Sequence, residues 1–239
     1  MKNILAKGGV EFLAVFLGIA LSLWVDEYQK AKESKKLSNQ ILNRLYKNLE
    51  ADSTDGLWNK KAHDLVMDSG DYILNWYRTN DELNDSLEIH LSRLAIATTL
   101  VNIEEEYNAL KSSGRMELLE DEKLVTALHD YYSWVNYIKI MQINIRSIVV
   151  DQYLPFMSNY SEYFGLIKDK NIYDNTYPAF ELHSIPPKKK VSHYASHLAT
   201  YGFYASGVYA TFMDKVIYLR RLIRQKNKTS SGISISETS

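Results

Sequence analysis

His193 and His197 are the pair of residues whose types and spacing come closest to metal chemistry. They lie one helical turn apart, and two histidines on one helix face can hold a metal ion. The zinc-protease motif also needs a glutamate directly after the first histidine, and this chain has Tyr194 there. We therefore expect a polar helix face at this position and no metal site.

Other motifs of catalysis are missing from the sequence. No glutamate is followed three residues later by a histidine, so the ligand pairs of di-iron bundles cannot form. There is no Gly-x-Ser-x-Gly elbow, phosphate loop or dinucleotide fingerprint, and no cysteine. The run Glu104, Glu105 and Glu106 is expected to be a solvated first helical turn, where acids suit the helix dipole. We predict no catalytic residue, no cofactor and a protein that is not an enzyme.

One strongly apolar segment, residues 10–25, dominates the N-terminal part of the chain. As a helix it would be roughly 24 Å long, close to the ~30 Å hydrocarbon core of a bilayer, and we interpret it as a transmembrane helix. A cleaved signal peptide is one alternative, although residues 19–23 offer no Ala-x-Ala site. A buried soluble helix is the other, although such a helix would normally carry a charged face.

A stripe of that helix carries its candidate functional residues, which are Glu11, Ala14, Gly18 and Ser22. The three small residues form a small-xxx-small ladder, which lets helices approach closely in lipid and predicts a homo-oligomer. A carboxylate inside an apolar span is costly unless it faces a partner or water, so Glu11 is a candidate for binding an ion or proton. At the level of the lipid headgroups, Glu11 would have no such role.

The remaining chain is divided by composition. We expect a short flank at residues 1–9, the transmembrane helix at 10–25, a helical domain at 26–226 and a disordered polar tail at 227–239. The net charge of −1 argues against a nucleic-acid partner.

Orientation is decided by weighing two signals. Lysines that follow the apolar segment favour a cytoplasmic domain. A short flank before an uncleaved segment favours a periplasmic one, and we prefer the periplasmic side of the inner (cytoplasmic) membrane.

Helical spacing of apolar residues predicts an all-α fold, with the N-terminal transmembrane helix followed by an antiparallel helical bundle. Residues 26–79 could form one helix or two, because Asp52, Ser53 and Asp55 could each cap a new helix. A further helix is expected to end near residues 98–99.

Caps and stops place the later helices. Asn102 with Glu105 resembles a capping box, and Gly114 is a natural residue to follow a helix end. Asp121 is expected to cap the longest soluble helix, running to Pro155. Residues 156–190 are mixed, with prolines that break helices.

Ser192 is expected to cap the last helix, in which Gly202 and Gly207 are interpreted as packing positions. Leu128 and Phe212 lie in the middle of the two best apolar stripes and should be buried.

A basic cluster near the end of that last helix contains Arg220, Arg221 and Arg224. Cations at a helix C-terminus offset the helix dipole, which is our main interpretation. Contact with anionic lipid is the alternative.

The order of these parts resembles a family of short bacterial single-span proteins of unknown function. Its Glu-headed apolar helix is similar to residues 11–19. Its Tyr-x-x-Leu-x-Ser-Ser-Gly turn is matched at residues 107–114, and its Asp-capped helix ending in paired tyrosines at 121–132. The resemblance covers residues 8–155 loosely and implies a membrane protein with a helical domain, but no activity.

We therefore expect a membrane-anchored helical scaffold that self-associates and binds a protein partner. The alternative is a single-span subunit of an ion-coupled inner-membrane complex, in which Glu11 binds the ion or proton.

Overall fold

The computed structural model describes residues 2–79, 85–168 and 176–230. Within these ranges, the side chains of some residues are not described: 2–11, 14, 85, 163–168, 176–178 and 229–230. The protein is mostly helical. Its α-helices are α1 (Lys2–Thr79), α2 (Asp85–Leu94), α3 (Glu105–Ser112), α4 (Glu122–Ser147), α5 (Leu154–Met157) and α6 (Lys188–Ser230). A 3-10 helix (Arg115–Leu119), a π-helix (Ile148–Tyr153) and two strands, β1 (Ser161–Lys168) and β2 (Thr176–Leu182), complete the order.

Helix α1 settles the question left open for residues 26–79, because they form one continuous helix. The prediction that Asp52 or its neighbours could cap a new helix is wrong. Asp52 is fully buried, and its carboxylate accepts a hydrogen bond from the backbone N–H of Ile103 instead of from its own helix. The polar part of α1 around Asp52 therefore stays helical, because the Asp52 side chain bonds the backbone of another part of the chain.

Helices α1 and α6 run antiparallel and form the backbone of the bundle. Gly70 of α1 lies against Ala199 of α6. His63, which is earlier in α1, lies against Gly202, which is later in α6. Near the other end, the Asn227 side chain bonds that of Asn43 at 3.2 Å. An added Cβ at Gly202 would lie 2.9 Å from the carbonyl oxygen of His63, so the glycine permits this close approach.

Two clusters of buried side chains form the core. The proximal core, nearer the N-terminal part of α1, contains Leu45, Leu128 and Phe212. The distal core contains Ile73 and Tyr153. Leu128 and Phe212 each have 0 % of their surface exposed, which confirms that the two predicted stripes face inward.

The predicted caps are partly right. Asp121 accepts a hydrogen bond from the backbone N–H of Leu124 at 3.0 Å, so it caps α4 as expected. Gly114 has φ +67°, the left-handed conformation that suits a residue just after a helix. The capping box of Asn102 and Glu105 is wrong, because Glu104 precedes α3 and the Asn102 amide bonds the Glu104 carboxylate.

Several helix limits also differ from the predictions. Helix α2 ends at Leu94, before residues 98–99. Helix α4 (26 residues) is shorter than α6 (43 residues), and the helical path after it continues through Pro155 to Met157. Pro155 is tolerated because it stands in the first turn of α5, where its missing N–H has no partner to lose.

Helix α6 differs from its prediction at both ends. It begins at Lys188, so Ser192 lies inside it and bonds the Lys189 carbonyl rather than capping. At its other end α6 reaches Ser230, so residues 227–230 of the predicted tail are helical, and residues 231–239 lie outside the described residues.

The all-α prediction is corrected by one element, an antiparallel hairpin. Strands β1 and β2 pair from Ser161 with Leu182 to Lys168 with Thr176, with an irregularity next to Gly165. Buried Phe180 anchors the hairpin, since its N–H bonds the Ser92 side chain of α2 at 3.1 Å. The prolines that break a helix here are compatible with a strand at the edge of a sheet, which helical spacing does not indicate.

Candidate functional site

The apolar segment of α1 is exposed along the whole of its described length. Every described side chain between residues 12 and 25 is exposed, and among the large hydrophobic ones the exposed fraction runs from 45 % at Val25 to 71 % at Phe12. These side chains point to all sides of the helix. Among the described residues, none of the helices combines the length and apolarity needed to cross a membrane.

The predicted stripe on this segment is described only in part. Gly18 has open space around it, and Ser22 is exposed. The side chains of Glu11 and Ala14 lie outside the described residues. The role of Glu11 as an ion- or proton-binding group, and with it the ion-coupled alternative, stays a prediction.

A polar segment separates these exposed residues from the bundle. Residues 26–36 are exposed except for half-buried Ser34, and Lys30 pairs with Asp26 at 2.7 Å. Burial begins at Ser38. In the described residues 12–36, α1 is therefore a single helix whose side chains do not pack against the bundle.

A buried polar network inside the bundle was not anticipated from the sequence. Its hydrogen bonds hold residues 96–104, which lie between α2 and α3, against one face of α1. The Asp52 carboxylate accepts from the Ile103 N–H at 3.0 Å, and the Asp55 carboxylate accepts from the Val101 N–H at 2.9 Å. Further along, His63 Nε2 lies 3.3 Å from the Thr98 hydroxyl. The network's only signal in the sequence is the spacing of Asp52 and Asp55, which lie about one helical turn apart.

Burial changes the protonation of this network. It raises the pKa of Asp52 to about 6, although hydrogen bonds from Tyr131 and the Ile103 N–H act in the opposite direction. It lowers the pKa of His63 to about 4. The Tyr131 hydroxyl donates to Asp52 at 2.6 Å, and burial raises the pKa of this tyrosine well above its ordinary value.

A carboxylate titrating near pH 6 could act as a general acid or base. Asp52 and Tyr131 each have 0 % of their surface exposed, so no substrate reaches them from solvent. We therefore assign this network to holding the connecting segment against α1.

The glutamates expected to be solvated are instead largely paired. Glu104 binds the Lys139 ammonium, and this contact, ahead of the Asn102 amide, holds the pKa of Glu104 below its usual range. Glu106 forms two hydrogen bonds with Arg44 of α1, at 2.5 and 2.9 Å. Only Glu105, in the first turn of α3 and exposed, fits the expectation.

The two histidines lie on α6 as expected, with ring centres 5.8 Å apart. Each also contacts an aromatic neighbour: His193 meets Tyr194, and His197 meets Tyr201. No group of three or more potential metal ligands occurs in the described part of the chain. That no metal binds here stays a prediction.

An aromatic groove on the outside of the bundle, which the sequence did not indicate, has a volume of about 620 Å³. Its walls include Trp134 and Tyr137 of α4 and Phe203 and Tyr204 of α6, and Gly207 lies between them. A Cβ added at Gly207 would meet no atom of the described residues within 4 Å. Gly202 is a packing position as predicted, but Gly207 is not.

The basic cluster forms a second groove further along α6, of about 560 Å³. Arg220 bonds the Tyr46 hydroxyl at 3.0 Å and Glu50 at 3.1 Å, and Arg224 lies over the Tyr46 ring. Arg221 is exposed and stacks on Tyr218. The cluster is therefore tied partly to α1, which goes beyond the dipole role predicted for it.

The position of the basic cluster is relevant to the alternative that it contacts anionic lipid. Tyr46 lies roughly 30 Å along α1 from the end of the apolar segment at Val25, by the rise of a helix. A Debye length at physiological ionic strength is only about 8 Å. With α1 perpendicular to the bilayer, this separation argues against contact between the arginines and a bilayer around residues 10–25. Lipid contact stays a prediction.

No family model, curated protein or solved structure matches this chain. The resemblance to a bacterial single-span family therefore stays a prediction.

Proposed function

We propose that the protein is a membrane-anchored helical scaffold, which self-associates through the N-terminal part of α1 and binds a protein partner through its bundle. The observation that supports this most strongly is the exposure of every described side chain from Phe12 to Val25. A helix that is apolar on all sides needs apolar surroundings on all sides. Lipid supplies them, whereas one partner helix covers a single stripe.

The proposed anchor spans residues 10–25. It includes Val10, Glu11 and Ala14, whose side chains the structure does not describe, so the span rests on the sequence at those positions. Trp24 stacks with Tyr28 at a ring distance of 6.0 Å, and such aromatic residues favour the interface between lipid and water.

Self-association is supported by the surroundings of Gly18. A glycine inside a helix costs about 1 kcal/mol relative to alanine, and no contact among the described residues requires this one. In lipid, the association of two apolar helices removes no surface from water, and a small residue favours it by letting the two backbones approach. Ala14 and Ser22 would extend this contact by one turn on either side.

The continuity of α1 gives the scaffold its geometry. The same helix forms the proposed anchor, the polar segment 26–36 and one wall of both cores. The polar segment adds roughly 16 Å between lipid and bundle. We keep the expectation that the bundle lies on the periplasmic side of the inner membrane.

Membrane fractionation tests this proposal. The full chain should sediment with membranes and resist carbonate extraction, and a chain of residues 27–239 should remain soluble and helical, because no described buried side chain precedes Ser38. Leu17→Glu should release part of the full chain, since a charge at the centre of a span costs about 3 kcal/mol. Lys32→Glu, in the polar segment, is the matched control and should change nothing. A full-length protein found in the soluble fraction would contradict the anchor.

A further inference from the structure

The outer face of α6 points away from both cores. We define it by the exposed residues Phe203, Gly207, Ala210, Ile217, Arg221 and Arg224. With the exposed Asp214 between Ala210 and Ile217, they follow one another at alternating steps of four and three residues, which forms one straight stripe along a helix. Both the aromatic groove and the basic groove lie on this stripe.

The chemistry of this face changes along its length. The aromatic groove begins it, with Phe203 70 % exposed, and Ile217 is 61 % exposed further on. Beyond Ile217 the exposed side chains become cationic, with Arg221 and Arg224. The distance from the first to the last of these residues is roughly 32 Å by helical rise.

Gly207 is an independent sign that something outside the chain approaches this face. Gly56, Gly70 and Gly202 are explained by packing within the bundle, because an added Cβ would lie within 3.0 Å of a neighbouring atom. At Gly207 no atom of the described part of the chain fills this space, and the helix would gain stability from alanine. A glycine in the lining of a groove gives a partner's side chain room to approach the backbone.

A second copy of the chain does not fit this face. Two copies anchored in one bilayer would pack with their helices parallel, so that each residue meets its own equivalent. Arg221 and Arg224 would then face Arg221 and Arg224 of the other copy, and like charges in contact are unfavourable. The ~30 Å between Tyr46 and the proposed anchor also argues against a lipid surface as the occupant.

We propose that the outer face of α6 binds an amphipathic helix of another protein, with apolar residues over Gly207 and acidic residues over Arg221 and Arg224. Helices commonly bind in this way, with anchors at helical spacing in an apolar groove. The acidic end would fix the direction in which the helix lies. This inference rests on the proposed scaffold function and assigns its partner-binding surface.

The test uses the full chain in neutral detergent micelles and two synthetic helical peptides. One has leucines at its a and d positions in the first half and glutamates at those positions in the second half. The other replaces these glutamates with lysines. Fluorescence anisotropy should show at least about tenfold tighter binding of the glutamate peptide. Equal affinities, or binding of neither peptide, would overturn the proposal.

Variants locate the peptide on the chain. Gly207→Leu fills the aromatic groove and should weaken binding about tenfold, whereas Ser196→Leu adds the same side chain at an exposed position of α6 away from the groove and should not. Arg221→Glu with Arg224→Glu should abolish the preference for glutamate, and Lys189→Glu with Lys190→Glu, an equal charge change at the other end of α6, should preserve it. Unchanged binding by Gly207→Leu, or an unchanged preference for the glutamate peptide in Arg221→Glu with Arg224→Glu, would contradict the assignment.

Two further measurements separate the possible failures. Light scattering on the same samples should give the same oligomer size for Gly207→Leu and wild type, and a smaller size would mean that a second copy occupies the face. If carbonate releases the full chain while the peptide still binds, the anchor fails and this surface stands. If the chain stays in the membrane and the peptide does not bind, the surface alone fails.

Discussion

Residues 12–25 and residues 41–76 belong to the same helix, α1, but lie in opposite surroundings. In the first range every described side chain is exposed, and in the second the apolar residues Leu45, Ile73 and Trp76 are buried. The patterns differ accordingly. Apolar residues of the second range recur at helical spacing on one face, whereas those of the first lie all round the helix. Among the described residues, no side chain covers the first range, and the proposed anchor is argued from this difference.

The largest effect expected from this difference is at the core. Phe212→Ala and Leu128→Ala should each lower the free energy of unfolding by about 2–5 kcal/mol, because both side chains are fully buried. Phe16→Ala, in the exposed range, should change it by less than about 0.5 kcal/mol. Denaturant unfolding of the full chain in micelles, followed by the helical signal, measures all three. A large loss from Phe16→Ala would mean that this range packs on the bundle.

The packed range of α1 also carries buried ionisable groups, and they predict opposite pH dependences. Asp52, with its pKa raised to about 6, favours the protonated form when folded. Its contribution to stability is greatest below pH 4 and decreases by about 3 kcal/mol as the pH rises to 6. His63, with its pKa lowered to about 4, favours the neutral form. Its contribution is complete above pH 6.5 and decreases by about 3 kcal/mol as the pH falls to 4.

Substitutions separate these two contributions. The stability of Asp52→Asn relative to wild type should rise by about 2 kcal/mol between pH 4 and pH 6, and that of His63→Gln should fall by a similar amount. Asp71→Asn, at an exposed position of α1, is the control. Denaturation curves across this pH range measure the differences. Parallel pH profiles for wild type and Asp52→Asn would show that burial does not perturb this carboxyl.

The smallest effects concern two glycines of α6 that lie on opposite faces. Gly202→Ala should destabilise the bundle by about 1–3 kcal/mol, because the new methyl group would press on backbone atoms of His63 and Met67. Gly207→Ala should stabilise it by up to about 1 kcal/mol, because the space there is open. Thermal unfolding of the two variants measures the contrast. Equal effects would mean that the two faces of α6 are packed alike.

Periodicity predicted the parts of the fold that depend on one-sided burial. The buried stripes of α4 and α6, including Leu128 and Phe212, follow directly from helical spacing. The cap by Asp121 and the turn at Gly114 were predictable because each depends on residues close in sequence.

Features that depend on contacts distant in sequence could not be predicted in this way. Asp52 has the side chain of a helix cap, and the approach of Ile103 and Tyr131 makes it an interior residue. The hairpin of β1 and β2 is held by α2, through Ser92 and Phe180. The aromatic groove joins Trp134 of α4 to Phe203 of α6, and no local pattern shows that these residues meet.

The central claim is that residues 10–25 lie in a bilayer, and cysteine labelling tests it most directly. The chain has no cysteine, so Phe16→Cys and Lys32→Cys each introduce a single thiol at a position that the protein itself leaves exposed. In intact membranes, a water-soluble maleimide should label Lys32→Cys and leave Phe16→Cys unmodified, because a thiol in hydrocarbon is inaccessible to the reagent and does not ionise. In urea-denatured samples, both should react. Equal labelling of the two positions in intact membranes, with the reagent present on both sides, would contradict the account.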